Sequence, residues 1–205
     1  MQKKILVAVD GSPPSRQAVD YAGRMNNLIQ GLTVTLFHIQ PPISQFLLDE
    51  AKRSGRAQAE LNKIAARNAE ASRGLLAGYR ETLIRAGLAE QSVEPATQPH
   101  NQGLAKDILD YTQNGLFDAI LVGRRGISAV QQMFMGSVSA HLIENSPVIP
   151  VWLVDGNVRS TRVMAAVDGS ESALRALDHM AFMLSGNPIG PVLFFPCDAQ
   201  TQRLL

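Results

Sequence analysis

Apolar runs and helical stretches alternate along the first 155 residues of the chain. Residues 4–9 and 117–122 are apolar runs and residues 33–39 are rich in β-branched and aromatic side chains, so all three segments predict strands. Residues 91–97 predict a weaker strand. Residues 147–154 predict a fifth strand, which we expect at the sheet edge because Pro147 and Pro150 cannot both donate to a central ladder.

The segments between these strands show the periodicity of amphipathic helices. The first begins at Pro13 and ends at Gly31, and Ala18, Ala22 and Ile29 recur at helical spacing within it. Residues 43–87 predict one long helix or two broken ones, and residues 103–111 and 136–145 predict two more helices. Strands that alternate with helices predict an α/β fold, a doubly wound parallel sheet with right-handed crossovers.

Three residues lie at the carboxyl ends of predicted strands, namely Asp10, Ile39 and Gly123. The ligand crevice of an open parallel sheet lies at these ends, where the strand order reverses. We therefore expect all three residues to line one crevice. For Asp10 a second interpretation stays open, in which its side chain only caps the helix that follows the strand.

An internal repeat relates the start of the chain to its last part. Residues 4–25 read KILVAVDGSPPSRQAVDYAGRM and residues 162–183 read RVMAAVDGSESALRALDHMAFM, at an offset of 158 residues (168 − 10). Asp168 repeats Asp10 within the shared sequence Ala-Val-Asp-Gly-Ser. We expect a complete first domain over residues 1–155 and an incomplete second copy over residues 160–205, without a glycine loop of its own.

A glycine-containing loop follows the fourth predicted strand. It reads GRRGISAVQQMFMGSVS from Gly123, with further glycines at Gly126 and Gly136, and Ser137 comes next. Glycines let backbone N–H groups approach phosphate oxygens without interference from a Cβ atom. Since a helix is predicted to begin at Gly136, its free N–H groups and its dipole favour an anion at the same place.

Composition narrows the function classes. The chain has 205 residues, of which 45% are hydrophobic and 18% are charged, and its net charge of +1 argues against nucleic acid or an anionic membrane as the main partner. No apolar run reaches the length of a membrane helix, and the start does not resemble a signal peptide, so we expect a soluble cytoplasmic protein. The single cysteine, Cys197, excludes an intrachain disulfide framework.

Several catalytic motifs are absent from the sequence. It contains no GxxxxGK[ST], no GxGxxG, no HExxH, no CxxC and no GxSxG. We accordingly assign no catalytic residue and no metal-binding residue. Hydrolysis of a bound nucleotide is left open, because a γ-phosphate reaction needs a positioned base or metal ligands and Asp10 is the one carboxylate that the sequence places near the loop.

The loop spacing resembles the G-x2-G-x9-G-[S/T] motif of the universal stress protein family, in its ATP-binding branch. Gly123, Gly126, Gly136 and Ser137 match the motif without a change in spacing. The resemblance extends to VAVDGS at residues 7–12, LFHI at 36–39 and SPVIPVWLV at 146–154. It implies a Rossmann-like five-stranded sheet in the order 3-2-1-4-5 and an adenine nucleotide, ATP, ADP or AMP, with or without Mg²⁺.

The resemblance also implies roles for individual residues. Asp10 would hydrogen-bond the nucleoside, and the backbone of Ile39 would meet the adenine edge. Gly123 and Gly126 would line the ribose and phosphates. The phosphates would be held by Gly136, Ser137 and Val138. The edge strand from Val148 to Val154 would pair with a second copy, which implies a homodimer.

Three functions fit this sequence. The first is a stress-response or signalling module that binds ATP or a related nucleotide and changes its conformation or partner with occupancy. The second is an enzyme, a slow metal-dependent hydrolase or a nucleotidyl transferase, that uses the same crevice. The third is a dimerising domain whose site stays empty. Elsewhere, His38 is expected to be a packed or hydrogen-bonded strand residue, and Trp152 either anchors a dimer or packs inward.

Overall fold

A computed structural model describes residues 2–124, 137–146, 148–160, 162–186 and 192–196 of the chain, without the side chains of Ser137, 192–194 and 196. Five parallel strands form one sheet in the order β3-β2-β1-β4-β5. The sheet confirms the predicted fold class and strand order. Its strands are β1 (Lys3–Ala8), β2 (Leu32–Ile39), β3 (Val93–Gln98), β4 (Ala119–Gly123) and β5 (Val151–Val154).

Helices cover both faces of this sheet. The long segment between β2 and β3 forms two helices, as one of the two predicted alternatives has it, and the second of these is 31 residues long. The helix after Gly103 continues to Asn114, three residues beyond the predicted end. The helices are α1 (Pro13–Met25), α2 (Gln45–Ala51), α3 (Gly55–Arg85), α4 (Leu104–Asn114) and α5 (Ser137–Asn145).

Two predicted boundaries are wrong for local reasons. The first helix ends at Met25 rather than near Gly31. A turn leads from Met25 to Gly31, and Gly31, with a φ of 73°, ends that turn. Ile29 is nevertheless buried, because the turn folds it back against the core. The fifth strand begins at Val151, and Pro150 still contributes its carbonyl oxygen to the amide of Ile120 at 2.9 Å. As predicted, this strand lies at the sheet edge.

The alternation of side chains along the strands divides the core into two layers. Ile5 and Val7 of β1 face α1 and α3, whereas Leu6 faces α4 and α5, and all three side chains are fully buried. Burial on both faces explains why β1 and β4 are continuous apolar runs in the sequence.

A smaller βαβ unit follows the five-stranded sheet. Its two strands, β6 (Val163–Val167) and β7 (Val192–Pro196), pair in parallel, and α6 (Glu171–Leu184) connects them. This is the order of β1, α1 and β2. The repeat extends to the backbone, since Gly11 and Gly169 have φ angles of 84° and 79°. Each of the two glycines precedes a serine that caps its helix.

Candidate functional site

The crevice lies at the carboxyl ends of β1, β2 and β4. β1 pairs with β2 on one side and with β4 on the other, so the strand order reverses at β1. Such a reversal is the switch point at which parallel sheets bind ligands. A cavity of about 120 Å³ lies there. Three of the residues predicted to share one crevice, Asp10, Ile39 and Gly123, do line it, together with Val138.

Both apolar and polar side chains line the cavity, and the apolar ones form the larger part of its surface. The side chains of Phe37, Ile108 and Val122 belong to the core layer beneath the cavity, and Ile39 and Leu104 complete its apolar wall. The polar wall consists of Asp10, Ser12, Ser15 and Ser139. Such a cavity can accept a flat apolar group on one side and hydroxyl groups on the other.

Asp10 is held by the turn that follows β1. Its Oδ1 atom accepts the amide of Ser12 at 3.0 Å and the hydroxyl of Ser15 at 2.5 Å, and the Ser15 hydroxyl in turn accepts the Asp10 amide at 3.0 Å. Ser12, not Asp10, is the N-cap of α1, since its hydroxyl accepts the amide of Ser15. The Asp10 carboxylate therefore organises the turn and lines the crevice at once.

Gly123 is in close contact with the start of α1. A Cβ atom on Gly123 would overlap the carbonyl group of Pro14 and come within 2.8 Å of the Pro14 Cβ. The glycine at this position is thus required by the approach of α1 to the end of β4. The next residue, Arg124, pairs with Asp155 at 2.9 Å.

The end of β2 is fixed to its two neighbours. The Val9 amide donates to the Phe37 carbonyl at 2.9 Å, and the Gln40 amide donates to the Gln98 carbonyl at 2.9 Å. His38 is hydrogen-bonded, as predicted, since its Nδ1 atom lies 2.7 Å from the carbonyl oxygen of Val9 and donates to it. These bonds position Ile39 at the rim of the cavity, where it is mostly buried.

Part of the predicted phosphate loop lies outside the described residues. This applies to Gly126 and Gly136 and to the side chain of Ser137. The backbone of Ser137 begins α5, and Val138 and Ser139 in its first turn line the cavity. The first turn of α5 therefore borders the same cavity as Asp10, on the side where the glycine loop joins the helix.

The structure adds cavity residues that the sequence did not predict. Ser15 could have been found from its position one turn inside a capped helix that starts beside Asp10. Leu104 and Ile108 come from α4, which packs on the other side of the sheet, so only the tertiary structure shows that they reach the cavity. Within the described ranges, no cluster of His, Cys, Asp and Glu could hold a metal ion.

Comparison with known proteins agrees with this architecture. The model of the universal stress protein family matches residues 1–155. Universal stress protein Slr1230 from Synechocystis is 27% identical over 192 residues, which are 87% of this chain and 64% of that protein. Universal stress protein YxiE from Bacillus subtilis is 27% identical over 157 residues, 75% of this chain and 99% of YxiE. The chain thus spans less than two thirds of the Synechocystis relative.

Solved structures share the fold at low sequence identity. A universal stress protein from Archaeoglobus fulgidus superimposes with a TM-score of 0.68 at 18% identity, covering 98% of this chain and 70% of its own. The UspA protein of Lactobacillus plantarum gives a TM-score of 0.54 at 16% identity, covering 74% of this chain and 97% of its own. Among the described helices, none is both long and apolar enough to cross a membrane. Since the family model matches about three quarters of the chain, the chain belongs to the universal stress protein family.

Proposed function

We propose that residues 1–155 bind an adenine nucleotide in the crevice between β1, β2 and β4. The observation that carries this proposal is the mixed lining of the cavity, in which a largely apolar surface includes the fixed Asp10 carboxylate. The apolar part of the lining suits a purine base. The carboxylate suits the ribose hydroxyls, which are hydrogen-bond donors.

Phosphates would extend from the ribose toward the first turn of α5. Val138 and Ser139 already border the cavity there, and the N-terminus of a helix favours an anion. Gly123, Gly126, Gly136, Ser137 and Val138 would hold the phosphates and the ribose, as the family motif implies. ATP is the nucleotide that this arrangement favours, with Mg²⁺ as a partner of its phosphates.

In this proposal the protein acts by binding the nucleotide rather than by turning it over. Nucleotide occupancy would change the conformation of the protein or the partner that it binds in a stress response. Residues 160–205 would correspond to the N-terminal part of a second domain of the same kind, since their sequence repeats Asp10 as Asp168. The edge strand β5 would pair with a second copy of the chain to form a homodimer.

Calorimetry on two matched variants tests the binding site. Asp10→Ala and Asp168→Ala remove equivalent hydrogen bonds, because each carboxylate accepts the amide of the serine two residues on, at 3.0 and 2.9 Å. Only Asp10 lines the cavity. Loss of a hydrogen bond to a charged group costs about 1.5–3 kcal/mol, so ATP affinity should fall about tenfold or more in Asp10→Ala and stay unchanged in Asp168→Ala.

A third variant tests the loop itself. Gly136→Val places a branched side chain where the family motif requires bare backbone, and we expect it to weaken ATP and ADP more than AMP. Solved structures of similar fold include a universal stress protein in complex with cAMP and one from Arabidopsis thaliana with AMP bound, so both ligands join the titrations. Equal heats of ATP binding for wild type, Asp10→Ala and Gly136→Val would refute the proposed site.

A further inference from the structure

A contact remote from the crevice joins α6 to the edge of the five-stranded sheet. The indole Nε1–H of Trp152 on β5 donates to Nε2 of His179 on α6 at 3.0 Å. The two rings meet edge to face, with centroids 5.7 Å apart. This bond links the βαβ unit to the edge strand of the five-stranded sheet.

The chemistry of the two rings fixes the protonation state of this contact. An indole nitrogen can only donate, so Nε2 of His179 must carry a free lone pair and the ring proton must lie on Nδ1. When His179 gains a second proton, Nε2 becomes a donor as well. Two donors then face each other at hydrogen-bond distance, and the bond is replaced by repulsion.

Buried apolar side chains of α6 accompany this hydrogen bond. Met183 and Leu184, in the last turn of α6, are 2% and 4% exposed and belong to the core layer that contains β1. Met180 and Trp152 pack against the same layer. Undocking of α6 would therefore expose apolar side chains that the rest of the chain now covers.

Charged groups also approach the contact. Asp118, just before β4, is the group whose charge favours the protonated form of His179. On β1, the Lys3 ammonium donates to the carbonyl of Ser185 at 2.7 Å and lies 5.9 Å from the centre of the Phe182 ring. From α1, Tyr21 packs against this core layer, and the charge of Arg24 acts on Tyr21. On α6 itself, Arg175 pairs with Glu171, and Asp178 precedes the histidine and is exposed.

We propose that the contact between Trp152 and His179 is an acid-sensitive latch, which holds α6 against the sheet while His179 is neutral and loosens when it is protonated. Burial lowers the pKa of His179 below its ordinary 6.5, and the Asp118 charge offsets part of this effect. Because the docked state binds the proton more weakly than the free helix does, docking is strongest above pH 6.5 and weakens as the pH falls below that value.

The chain carries a built-in reporter for this latch, because Trp152 is its single tryptophan. Emission of the wild-type protein should shift to longer wavelength, as the indole becomes hydrated, between about pH 8 and about pH 5, with a midpoint on the acidic side of the ordinary histidine value. In His179→Gln the side-chain oxygen still accepts the indole proton but does not titrate, so the shift should disappear. His141→Gln replaces an exposed histidine of α5 and should titrate like the wild type.

Hydrogen exchange shows whether the helix itself is released. Amides of α6 should exchange faster at about pH 5 than at about pH 8, after correction for the intrinsic rate, in the wild type but not in His179→Gln. Trp152→Phe removes the indole donor, so its α6 amides should exchange fast at both pH values. Hydrogen exchange reports on this variant although its tryptophan fluorescence is lost. A pH response that persists in His179→Gln, or an emission shift without faster α6 exchange, would overturn the latch.

Discussion

The Ser15 hydroxyl bonds to Asp10 twice, accepting its amide at 3.0 Å and donating to its carboxylate at 2.5 Å. The repeat shows that the turn itself does not need this hydroxyl. At the equivalent position of the second unit stands Ala173, yet the amide of Ser170 still donates to Asp168 at 2.9 Å. Ser15 therefore serves the unit that has the cavity, where it fixes the direction of the Asp10 carboxylate.

We expect Ser15→Ala to separate binding from folding. The variant loses hydrogen bonds that contribute about 1 kcal/mol each to stability, and the carboxylate loses one of the donors that fix its direction, so nucleotide affinity should fall about threefold to tenfold. Calorimetry gives the affinity and urea denaturation the free energy of unfolding. The matched control, Ser172→Ala, removes a serine whose hydroxyl contacts Ser170 at 3.0 Å, and should leave affinity unchanged. Unaltered affinity in Ser15→Ala would mean that Asp10 needs no such positioning.

Gly11, in the turn after β1, gives a second prediction. Gly11 adopts a φ of 84°, and a Cβ atom there would meet only Leu75, at an ordinary 3.6 Å. The cost of Gly11→Ala therefore comes from the backbone, about 1–2 kcal/mol for a left-handed residue. Gly11→Asn should recover part of this loss, because asparagine tolerates the left-handed region better. Thermal denaturation measures the melting temperatures of Gly11→Ala, Gly11→Asn and the wild type. Equal values for all three would show that the turn relaxes to accept a side chain.

The sequence predicted the parts of the fold that depend on local patterns. Both faces of β1 and β4 are buried, so their apolar runs are unambiguous, and the Asp-Gly-Ser turn marks the same boundary twice. The helix end at Met25 could not be predicted, because Ile29 continues the helical spacing although it packs from a turn. Leu104 in the cavity and His179 against Trp152 depend on contacts between distant segments, which no local pattern records.

Gly123 and Gly74 should respond to alanine in opposite directions. At Gly123 a Cβ atom would overlap the Pro14 carbonyl group, which is backbone and cannot move aside, so Gly123→Ala should lower the free energy of unfolding by about 2–3 kcal/mol. At Gly74, within α3, an added Cβ would meet no atom within 4 Å beyond the helix's own neighbouring backbone, and alanine should raise stability by about 0.5–1 kcal/mol. Urea denaturation of both variants decides the point. Stability equal to wild type in Gly123→Ala would show that α1 can move away from β4 without loss.

Asp107 supports the cavity from α4, which carries Leu104 and Ile108 to its wall. The carboxylate is 3% exposed and accepts the amides of Asn101 at 2.9 Å and Gln102 at 3.0 Å, so it ties the loop after β3 to the helix. Burial raises the pKa of Asp107, but the amides of residues 101–103 and the nearby His100 outweigh it and hold the pKa below the ordinary 3.8.

This direction of the shift sets the pH dependence of stability. Since the folded state binds the proton more weakly than the unfolded state, the contribution of Asp107 is present above pH 3.8 and is lost as the pH falls through the lower folded pKa. Asp107→Asn should therefore destabilise the protein by about 1–3 kcal/mol at neutral pH and by much less in acid, because an amide group replaces a charged acceptor of backbone N–H groups. Urea denaturation at neutral pH and near pH 3 measures both values. Asp110→Asn, which breaks only the exposed pair with Lys106, should change stability by less than about 0.5 kcal/mol at either pH, and an equal effect of the two variants would contradict the role of Asp107.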